Sequence, residues 1–414
     1  MTEAQGGGST HIDVVCPFCG LGCDDVSLKI DGLAVEAGEG ACGRAAALFR
    51  RSQASNPAPR VGGSDASLDE AIAAAADLLA GARAPFHAGL GTDVDGVRAV
   101  IKLAGKVGGG VDHYASAGLF RNLSTAQRKG WVATTLAEVR NRCDLLVVVG
   151  PDPSESFHRL YDRVTPAKGR FVEGVRRVVF LGGEPTAEAK TQLAGAKVET
   201  ISVPEGGLVD CLSRLHALVA GTPAASGDPD IGPLATSLKA AKYGVLAWSA
   251  ASLGSDGDLV VERAAAVVDA LNVETRAACL PLAGRDNLIG ANQTFLWNVG
   301  FPLRTAFSGG VASHDQTLNA TEAALAEADV LVWTSSFRPE LPPESDARLI
   351  AIAHPATKFE REPDVFIPVG QPGLDHAGLA FRTDTVVAIP LGKHRDSGLP
   401  SVADVLKRIL EQHR

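Results

Sequence analysis

Four of the chain's seven cysteines lie close together near the N-terminus, at Cys16, Cys19, Cys23 and Cys42. Two residues separate the first pair, three the second and eighteen the third. Four thiolates can surround one soft metal centre, because sulfur ligands suit both iron–sulfur clusters and zinc. The C-x2-C-x3-C spacing with a distant fourth cysteine favours a 4Fe–4S cluster over a zinc ribbon built from two C-x2-C pairs. Structural zinc and four unligated buried cysteines are the alternatives.

Other residues of this segment are consistent with a metal-binding loop. Three glycines let the backbone bend closely around an ion or cluster: Gly20, Gly22 and Gly40. The remaining cysteines, Cys143, Cys211 and Cys279, lie in or beside apolar runs and are predicted to be core residues. We expect no disulfide bonds, because nothing in the sequence indicates secretion.

Charge and hydropathy exclude several classes of partner. The formal net charge of −9 at pH 7 argues against a nucleic-acid partner, which would favour a basic surface. No run of about 18 apolar residues is present, so no membrane-spanning helix is expected. The first residues are polar and do not resemble a signal peptide. The sequence therefore predicts a cytoplasmic protein that binds neither nucleic acid nor membrane.

Helix and strand signals alternate along the rest of the chain and predict an α/β fold. The first series of elements comprises helices at 68–79, 94–107 and 136–142 and strands at 85–90, 144–149 and 177–181. The second series comprises helices at 234–241, 259–271 and 320–327 and strands at 244–249, 329–334 and 348–353. This similar order indicates a two-fold internal repeat of β/α units, roughly over 66–205 and 230–360.

Strands that alternate with helices predict parallel sheets, with ligand crevices at the carboxyl ends of the strands. We therefore predict duplicated parallel-sheet β/α subdomains that follow a small N-terminal four-cysteine module. The predicted boundaries are 1–60 for the module, 61–229 for the first lobe and 230–414 for the second lobe with the C-terminal segment.

A set of motifs spread over almost the whole chain resembles the B subunit of formylmethanofuran dehydrogenase, a relative of the molybdopterin oxidoreductases. In order, the motifs are the cysteine module with Cys23-Asp-Asp25, Gln127-Arg-Lys-Gly130, the segment Thr134 to Asp144, Gly150-Pro-Asp-Pro153, Asn287-Leu-Ile-Gly-Ala-Asn292, Trp297-Asn-Val-Gly-Phe-Pro302, Ile367-Pro368 and Phe381-Arg-Thr-Asp384. In that family, two pyranopterin guanine dinucleotides hold molybdenum or tungsten, and a nearby 4Fe–4S cluster carries electrons. The resemblance implies the molybdopterin-oxidoreductase fold for this chain.

The departures from the family pattern bear on activity. The family places a cysteine or selenocysteine on the metal, and here Gly118 or Leu119 falls at that position. Neither side chain offers a donor atom. His113 and Ser116 are the nearest residues that do, and we interpret both as ordinary loop residues. The missing ligand predicts that the chain carries neither molybdopterin nor tungstopterin.

Two further departures concern nucleotide binding. After the strand that ends at Val149, only His158 and Arg159 remain of the family's Asn-Pro and His-Pro-Arg pattern. After the strand 177–181, Gly182-Gly-Glu-Pro replaces an Asp-x-Arg motif. The acidic and basic side chains that would contact a guanine or ribose are therefore lost.

Within this family, the formyltransferase/hydrolase complex of methylotrophic bacteria performs no net redox chemistry. The resemblance implies that the complex moves a formyl group from formyl-tetrahydromethanopterin to a methanofuran-like carrier and then releases formate. Hydrolysis belongs to an amidohydrolase-like A subunit and transfer to a formyltransferase-like D subunit. The chain would then be a structural, non-catalytic B subunit that associates with the A, C and D subunits.

Two other hypotheses remain open. The chain is an active molybdenum or tungsten formylmethanofuran dehydrogenase subunit with an unusual metal ligand, which predicts stoichiometric pterin and metal. Alternatively, it is an independent iron–sulfur or zinc protein that senses or stores. The missing ligand favours the structural subunit over the active enzyme, and the full-length resemblance argues against the independent protein.

Overall fold

The computed structural model describes residues 8–50, 56–166, 168–222 and 229–413. The chain forms two compact units. The first unit comprises Met1–Ser116 and Gly284–Arg414, and the second is the intervening segment Ala117–Ala283. The second unit is thus an insertion in the sequence of the first.

The strands and helices are numbered in chain order. The strands are β1 Ser9–Val14, β2 Val26–Asp31, β3 Ala34–Ala37, β4 Arg60–Val61, β5 Ser64–Asp65, β6 Pro85–Gly91, β7 Gly109–Val111, β8 Leu145–Val149, β9 Arg177–Leu181, β10 Lys197–Ile201, β11 Gly244–Ser249, β12 Ala277–Leu282, β13 Thr305–Ser308, β14 Val311–His314, β15 Val330–Ser335, β16 Arg348–Ala353, β17 Val365–Pro368, β18 Gly378–Phe381 and β19 Ala388–Leu391. The helices are α1 Gly43–Phe49, α2 Leu68–Ala80, α3 Val94–Val107, α4 Ser116–Lys129, α5 Leu136–Arg142, α6 Leu160–Val164, α7 Ala187–Gln192, α8 Leu208–Val219, α9 Gly232–Ala240, α10 Gly257–Leu271, α11 Leu288–Val299, α12 Thr321–Glu327 and α13 Val402–Gln412.

The second unit contains a five-stranded parallel sheet in the order β10-β9-β8-β11-β12. The central strand β8 reads Leu-Leu-Val-Val-Val, and all five of its residues are buried. An uninterrupted run of branched apolar residues is typical of a parallel strand that is covered on both faces. The core around the sheet includes Trp248 on β11 and the apolar faces of α8 and α10.

The first unit contains a nine-stranded mixed sheet in the order β14-β13-β7-β6-β15-β16-β17-β4-β5. The five central strands, from β7 to β17, pair in parallel, whereas the strands at both edges pair antiparallel. Trp333 on β15 and Phe366 on β17 belong to the core on this sheet. A separate three-stranded antiparallel sheet, β1-β2-β3, carries the N-terminal segment.

The mixed α/β architecture with parallel sheets agrees with the predicted fold class. The division of the chain differs from the predicted boundaries at 60 and 229, because both predicted lobes contribute strands to each sheet. In one sheet β6 pairs with β15, and in the other β8 pairs with β11. The predicted repeats are therefore interleaved in space, and residues of the predicted N-terminal module belong to the first unit.

Local sequence signals account for where many helices begin. Ser67 and Glu70 form a capping box at the start of α2, and Ser401 and Asp404 form another at the start of α13. Asp93 caps α3, which ends before Gly108 with its φ of 86°. Within the described ranges, no helix combines the length and the apolar character needed to cross a bilayer.

Candidate functional site

Three of the four N-terminal cysteines lie in the loop that connects β1 and β2. The backbone N–H of Cys16 donates to the carbonyl oxygen of Cys23 at 2.8 Å, which closes this loop. Gly20 and Gly22 adopt left-handed φ values of 79° and 61° within it, and glycine adopts these without a steric penalty. The sequence thus folds the segment into a tight turn that carries Cys16, Cys19 and Cys23.

The segment that carries the fourth cysteine, Cys42, passes close to the end of the cysteine loop. A Cβ at Gly40, which has a φ of 77°, would lie 1.9 Å from the carbonyl oxygen of Asp25. Only glycine therefore lets the segment before α1 pass this close to the end of the cysteine loop. Cys42 itself caps α1, and its Sγ accepts a hydrogen bond from the Ala45 N–H at 3.4 Å.

The four sulfurs influence one another electrostatically. Burial raises the pKa of Cys16 well above its ordinary value, and the charges of Cys19, Cys23 and Cys42 raise it further. Burial likewise raises the pKa of Cys19 to about 12, the hydrogen bond to the Leu21 backbone opposes this effect, and Cys23 and Cys42 add to it. The other three cysteines therefore lie close enough to affect Cys16, and the first two thiols are protonated at neutral pH when no metal is bound.

Closeness of the four cysteines does not by itself make a metal site. In the described ranges, no group of three or more His, Cys, Asp or Glu side chains is arranged to hold a metal ion. Charges interact over several ångströms, whereas thiolate ligands must converge to about 2.3 Å from one zinc ion. The predicted metal site at Cys16, Cys19, Cys23 and Cys42 is therefore not confirmed and stays a prediction.

The other cysteines lie in the cores. Cys143, Cys211 and Cys279 are buried, as expected, and none of the seven cysteines forms a disulfide bond. Burial raises the pKa of both Cys143 and Cys279, so their thiols stay neutral. They behave as apolar core residues.

The segment in which the family resemblance implies a metal ligand forms the first turn of α4. A Cβ at Gly118 would lie 2.8 Å from the Ala251 nitrogen and 2.9 Å from its Cα. Those are backbone atoms, so a side chain at position 118 could not be accommodated without moving the chain. Leu119 is buried. Neither position presents a donor atom to an open space.

The interpretation of His113 and Ser116 as ordinary loop residues holds only in part, because His113 lies in the loop between β7 and α4 whereas Ser116 belongs to α4. His113 is fully buried, and Ser116 is the buried first residue of α4. The Ser116 Oγ donates to Asp112 at 2.8 Å, and Thr321 Oγ1 donates to the same carboxylate at 2.9 Å. Arg304 lies 3.5 Å from that carboxylate. The segment is thus held by a buried polar network that local sequence did not indicate.

A second buried network surrounds Asp286. The Arg338 guanidinium lies 2.6 Å from its carboxylate, and the Tyr114 hydroxyl donates to the same oxygen. Arg338 also donates to the Tyr114 oxygen at 2.7 Å. The second carboxylate oxygen, Oδ1, is buried and has no hydrogen-bond partner among the described residues. We did not predict this network from the sequence.

The backbone at Asp286 and Asn287 adopts left-handed φ values of 50° and 61° immediately before α11. The Asn287 side chain donates to the Thr92 carbonyl at 2.9 Å and accepts from the Phe381 N–H at 2.9 Å. An Asp-Asn pair before an apolar helix is the signal that could have indicated this turn, because these residues tolerate that conformation best after glycine.

The protonation states limit what the Asp286 network can do. Burial lowers the pKa of His113 to about 3, so its ring is neutral at physiological pH. Burial raises the pKa of Tyr114, and the Asp286 charge raises it further, so the hydroxyl keeps its proton. Burial also raises the pKa of Asp286, although Arg338 opposes this effect. The network supplies fixed hydrogen-bond donors in the core and no soft metal ligand.

In the second unit, the loops at the carboxyl ends of β8 and β9 pack directly on each other. A Cβ at Gly183 would lie 2.2 Å from the Gly150 carbonyl oxygen. The buried Asp152 carboxylate accepts from the Tyr161 hydroxyl at 2.7 Å and from the Thr186 N–H at 2.9 Å. The polar groups of these loops therefore bind one another. His158, the histidine that remains of the family pattern, pairs with Glu188 at 3.0 Å.

Comparisons with known proteins agree with this architecture. No protein-family model matches the chain. It is 31% identical to the Fhc B subunit of the formyltransferase/hydrolase complex of Methylorubrum extorquens over 77% of this chain and 86% of that protein. It is 26% identical to the B subunit of the tungsten-containing formylmethanofuran dehydrogenase 2 of Methanocaldococcus jannaschii over 90% and 91% of the two chains. A chain of the M. extorquens complex FhcABCD, crystallised with methylofuran, matches with a TM-score of 0.75 and 28% identity over 86% of this chain and 98% of that one.

Proposed function

The chain belongs to the family of the B subunits of formyltransferase/hydrolase complexes, and we propose that it is a non-catalytic structural subunit of such a complex. Its partners are the amidohydrolase-like A, the C and the formyltransferase-like D subunits, in the cytoplasm. The complex transfers a formyl group from formyl-tetrahydromethanopterin to a methanofuran-like carrier and hydrolyses it to formate. The similarity over 86% of the M. extorquens protein supports this assignment to a complex.

The contact of Gly118 with the Ala251 backbone carries the proposal that this subunit is not catalytic. A redox centre of the related enzymes needs a thiolate or selenolate on the metal in this segment. Here a Cβ would lie within 3 Å of backbone atoms, and the following residue is a buried leucine. The geometry thus agrees with a chain that has lost the metal ligand and fills its place with helix packing.

The packing of the loops after β8 and β9 supports the absence of a bound pterin dinucleotide. In parallel α/β sheets, nucleotides bind in the crevice at the carboxyl ends of the strands. At this edge, Gly183 approaches Gly150 directly, and Asp152 is already bonded to Tyr161 and Thr186. A nucleotide at this position would have to displace those bonds.

We further propose that Cys16, Cys19, Cys23 and Cys42 hold a 4Fe–4S cluster, with structural zinc as the alternative. Three observations support this fit: the closed loop from Cys16 to Cys23, the close approach of the backbone at Gly40, and the effect of the other three cysteines on the pKa of Cys16. A bound cluster would supply one-electron transfer, whereas zinc would only stabilise the fold. Either centre would offset the cost of holding four cysteines, two of them buried, near one another, since metal binding and folding are coupled in such segments.

Assembly and activity of the complex test the proposal. The A, C and D subunits would be produced with and without this chain, and native mass spectrometry would follow assembly while formate release reports activity. We expect this chain alone to release no formate, and we expect its omission to prevent assembly. Assembly and full activity without it would contradict a structural role.

Elemental analysis distinguishes the proposed role from that of an active dehydrogenase. The purified complex would be analysed for Mo, W, Fe and Zn, together with a fluorescence assay for released pterin. We expect iron or zinc in this chain and neither molybdenum, tungsten nor pterin. Stoichiometric tungsten or molybdenum with pterin would make the chain an active formylmethanofuran dehydrogenase subunit, as in the archaeal relatives.

A further inference from the structure

Two histidines from opposite ends of the sequence meet in the first unit. His11 lies on β1, and His394 lies just after β19. Their ring centroids are 4.9 Å apart, and the ring planes are inclined at 68°. The Nδ1 atom of each ring faces the other at 3.4 Å. Both rings are half-buried, so solvent reaches the pair.

Hydrogen bonds hold the His11 ring and the backbone at His394 in place. The Ser9 Oγ lies 3.0 Å from His11 Nε2, which directs that nitrogen to serine and leaves Nδ1 directed at the other ring. The His394 N–H donates to the Leu374 carbonyl at 2.8 Å. Next to it, Arg395 binds the Asp375 carboxylate at 2.7 Å and donates to the Leu33 carbonyl at 2.6 Å. The backbone segments that carry the two histidines are therefore both held in place.

The spacing of the two nitrogens suits a shared metal ion. Imidazole nitrogens bind zinc at about 2.0–2.1 Å, so two of them on one tetrahedral ion lie about 3.3 Å apart. The observed separation of 3.4 Å matches that value. This spacing therefore permits one ion to contact both Nδ1 atoms.

We propose that His11 and His394 form a two-histidine site for a divalent transition-metal ion, such as Zn²⁺ or Ni²⁺, whose remaining positions are filled by water. The described residues offer no third His, Cys, Asp or Glu that completes a larger ligand group here. Two imidazoles with open positions give a moderate-affinity, exchangeable site rather than a closed structural one.

The site would connect two parts of the chain that are 383 residues apart. β1 leads directly into the cysteine loop, and His394 belongs to the segment that follows the β18-β19 hairpin. A bound ion would therefore hold the cysteine-bearing segment on the C-terminal segment. This inference does not depend on the proposed function, because it rests only on the geometry of the pair.

Nickel is the sharper probe, because imidazole suits Ni²⁺ whereas a four-thiolate loop selects zinc or iron. Untagged full-length protein would be titrated with Ni²⁺ in a calorimeter, beside the variants His11→Ala and His394→Ala. His216→Ala, a half-buried histidine on α8 in the other unit, is the matched control. We expect one Ni²⁺ per chain, an affinity at least about tenfold weaker in each of the two variants, and no change in the control. Equal Ni²⁺ affinity in all four proteins would overturn the proposal.

A second measurement on the wild-type protein avoids any dependence on the folding of the variants. Diethylpyrocarbonate would be applied with and without Ni²⁺, and modification of each histidine would be followed by mass spectrometry. We expect Ni²⁺ to protect His11 and His394 together and to leave His216 unprotected. Modification of both rings at the same rate with and without Ni²⁺ would show that the two rings only contact each other and bind no ion.

Discussion

Gly118 and Ala251 are in such close contact that a Cβ on the glycine would lie 2.8 Å from the alanine nitrogen. Both residues belong to the second unit, and the contact seats the first turn of α4 on the segment that follows β11. The family resemblance implies a metal ligand at this position. Here the position serves helix packing, which supports the proposal of a non-catalytic role.

The first prediction concerns that contact. Glycine-to-alanine changes inside helices usually stabilise, because alanine restricts the unfolded chain. We expect Gly118→Ala instead to lower the free energy of unfolding by about 1–3 kcal/mol, since the methyl group meets backbone atoms. Urea unfolding measures the change. Gly232→Ala on α9, where nothing lies within 4 Å, is the control and should be neutral or stabilising. Equal effects at the two positions would show that the contact is not tight.

The second prediction concerns the buried ion pair of Asp286 and Arg338. Asp286→Asn should lower the free energy of unfolding by about 3 kcal/mol, because it leaves a buried guanidinium without its closest anion. The exposed pair of Lys242 and Glu173 provides the control, and Glu173→Gln should change stability little. Thermal and urea unfolding measure both. A stable Asp286→Asn protein would mean that Glu340, which lies 3.3 Å from Arg338, suffices as a partner.

The third prediction concerns acid sensitivity. Burial lowers the pKa of His87 to about 4, although its hydrogen bond to the Gly108 carbonyl at 3.1 Å opposes this effect. The unfolded chain, with the ordinary histidine pKa, binds this proton more readily than the folded chain. His87 therefore does not reduce the free energy of unfolding above about pH 6.5. As the pH falls from there towards 4, proton binding by the unfolded chain lowers the free energy of unfolding by about 3 kcal/mol.

His87→Gln tests this pH dependence, because glutamine keeps an N–H donor and removes the titration. Urea unfolding from pH 7 to pH 4 should show a shallower loss of stability in the variant than in the wild-type protein. His216→Gln, which changes a half-buried histidine on α8, is the matched control for the substitution itself. An unchanged slope in His87→Gln would place the acid-sensitive group elsewhere, with His113 the next candidate because burial lowers its pKa to about 3.

The fourth prediction concerns the four-cysteine segment. Cys19→Ser should remove the iron or zinc from the chain and weaken assembly with the partner subunits, while the parallel sheets stay folded. Elemental analysis and size-exclusion chromatography measure the two effects. Cys143→Ser, which alters a core cysteine, is the matched control and should keep the full metal content. Full metal content in Cys19→Ser would rule out this cysteine as a ligand.

Local sequence signals predicted many of the elements well. The helix predicted at 94–107 is found with those bounds, because Asp93 caps its start and Gly108 allows the chain to leave it. The strands predicted at 177–181 and 244–249 also have the predicted bounds. Such agreement arises because caps, turn glycines and apolar periodicity act within a few residues.

Contacts between distant segments were not predicted. His113 and Ser116 were expected in an ordinary loop; His113 lies in a loop but is fully buried, and Ser116 instead begins α4 within a buried polar network. Tyr114, Asp286 and Arg338 come from three separate segments, and no local pattern indicates that their side chains meet. Their pairing depends on which strands become neighbours in the nine-stranded sheet.

The sequence by itself determined the alternation of strands and helices, the closely spaced cysteines and the absence of a sulfur ligand at Gly118 and Leu119. Only the tertiary structure decided that β6 pairs with β15 and β8 with β11, and that His11 faces His394. The physical reason is the range of the interactions. Backbone conformation responds to neighbours in sequence, whereas strand partners and side-chain pairs follow from the burial of apolar faces by segments that lie far apart in the chain.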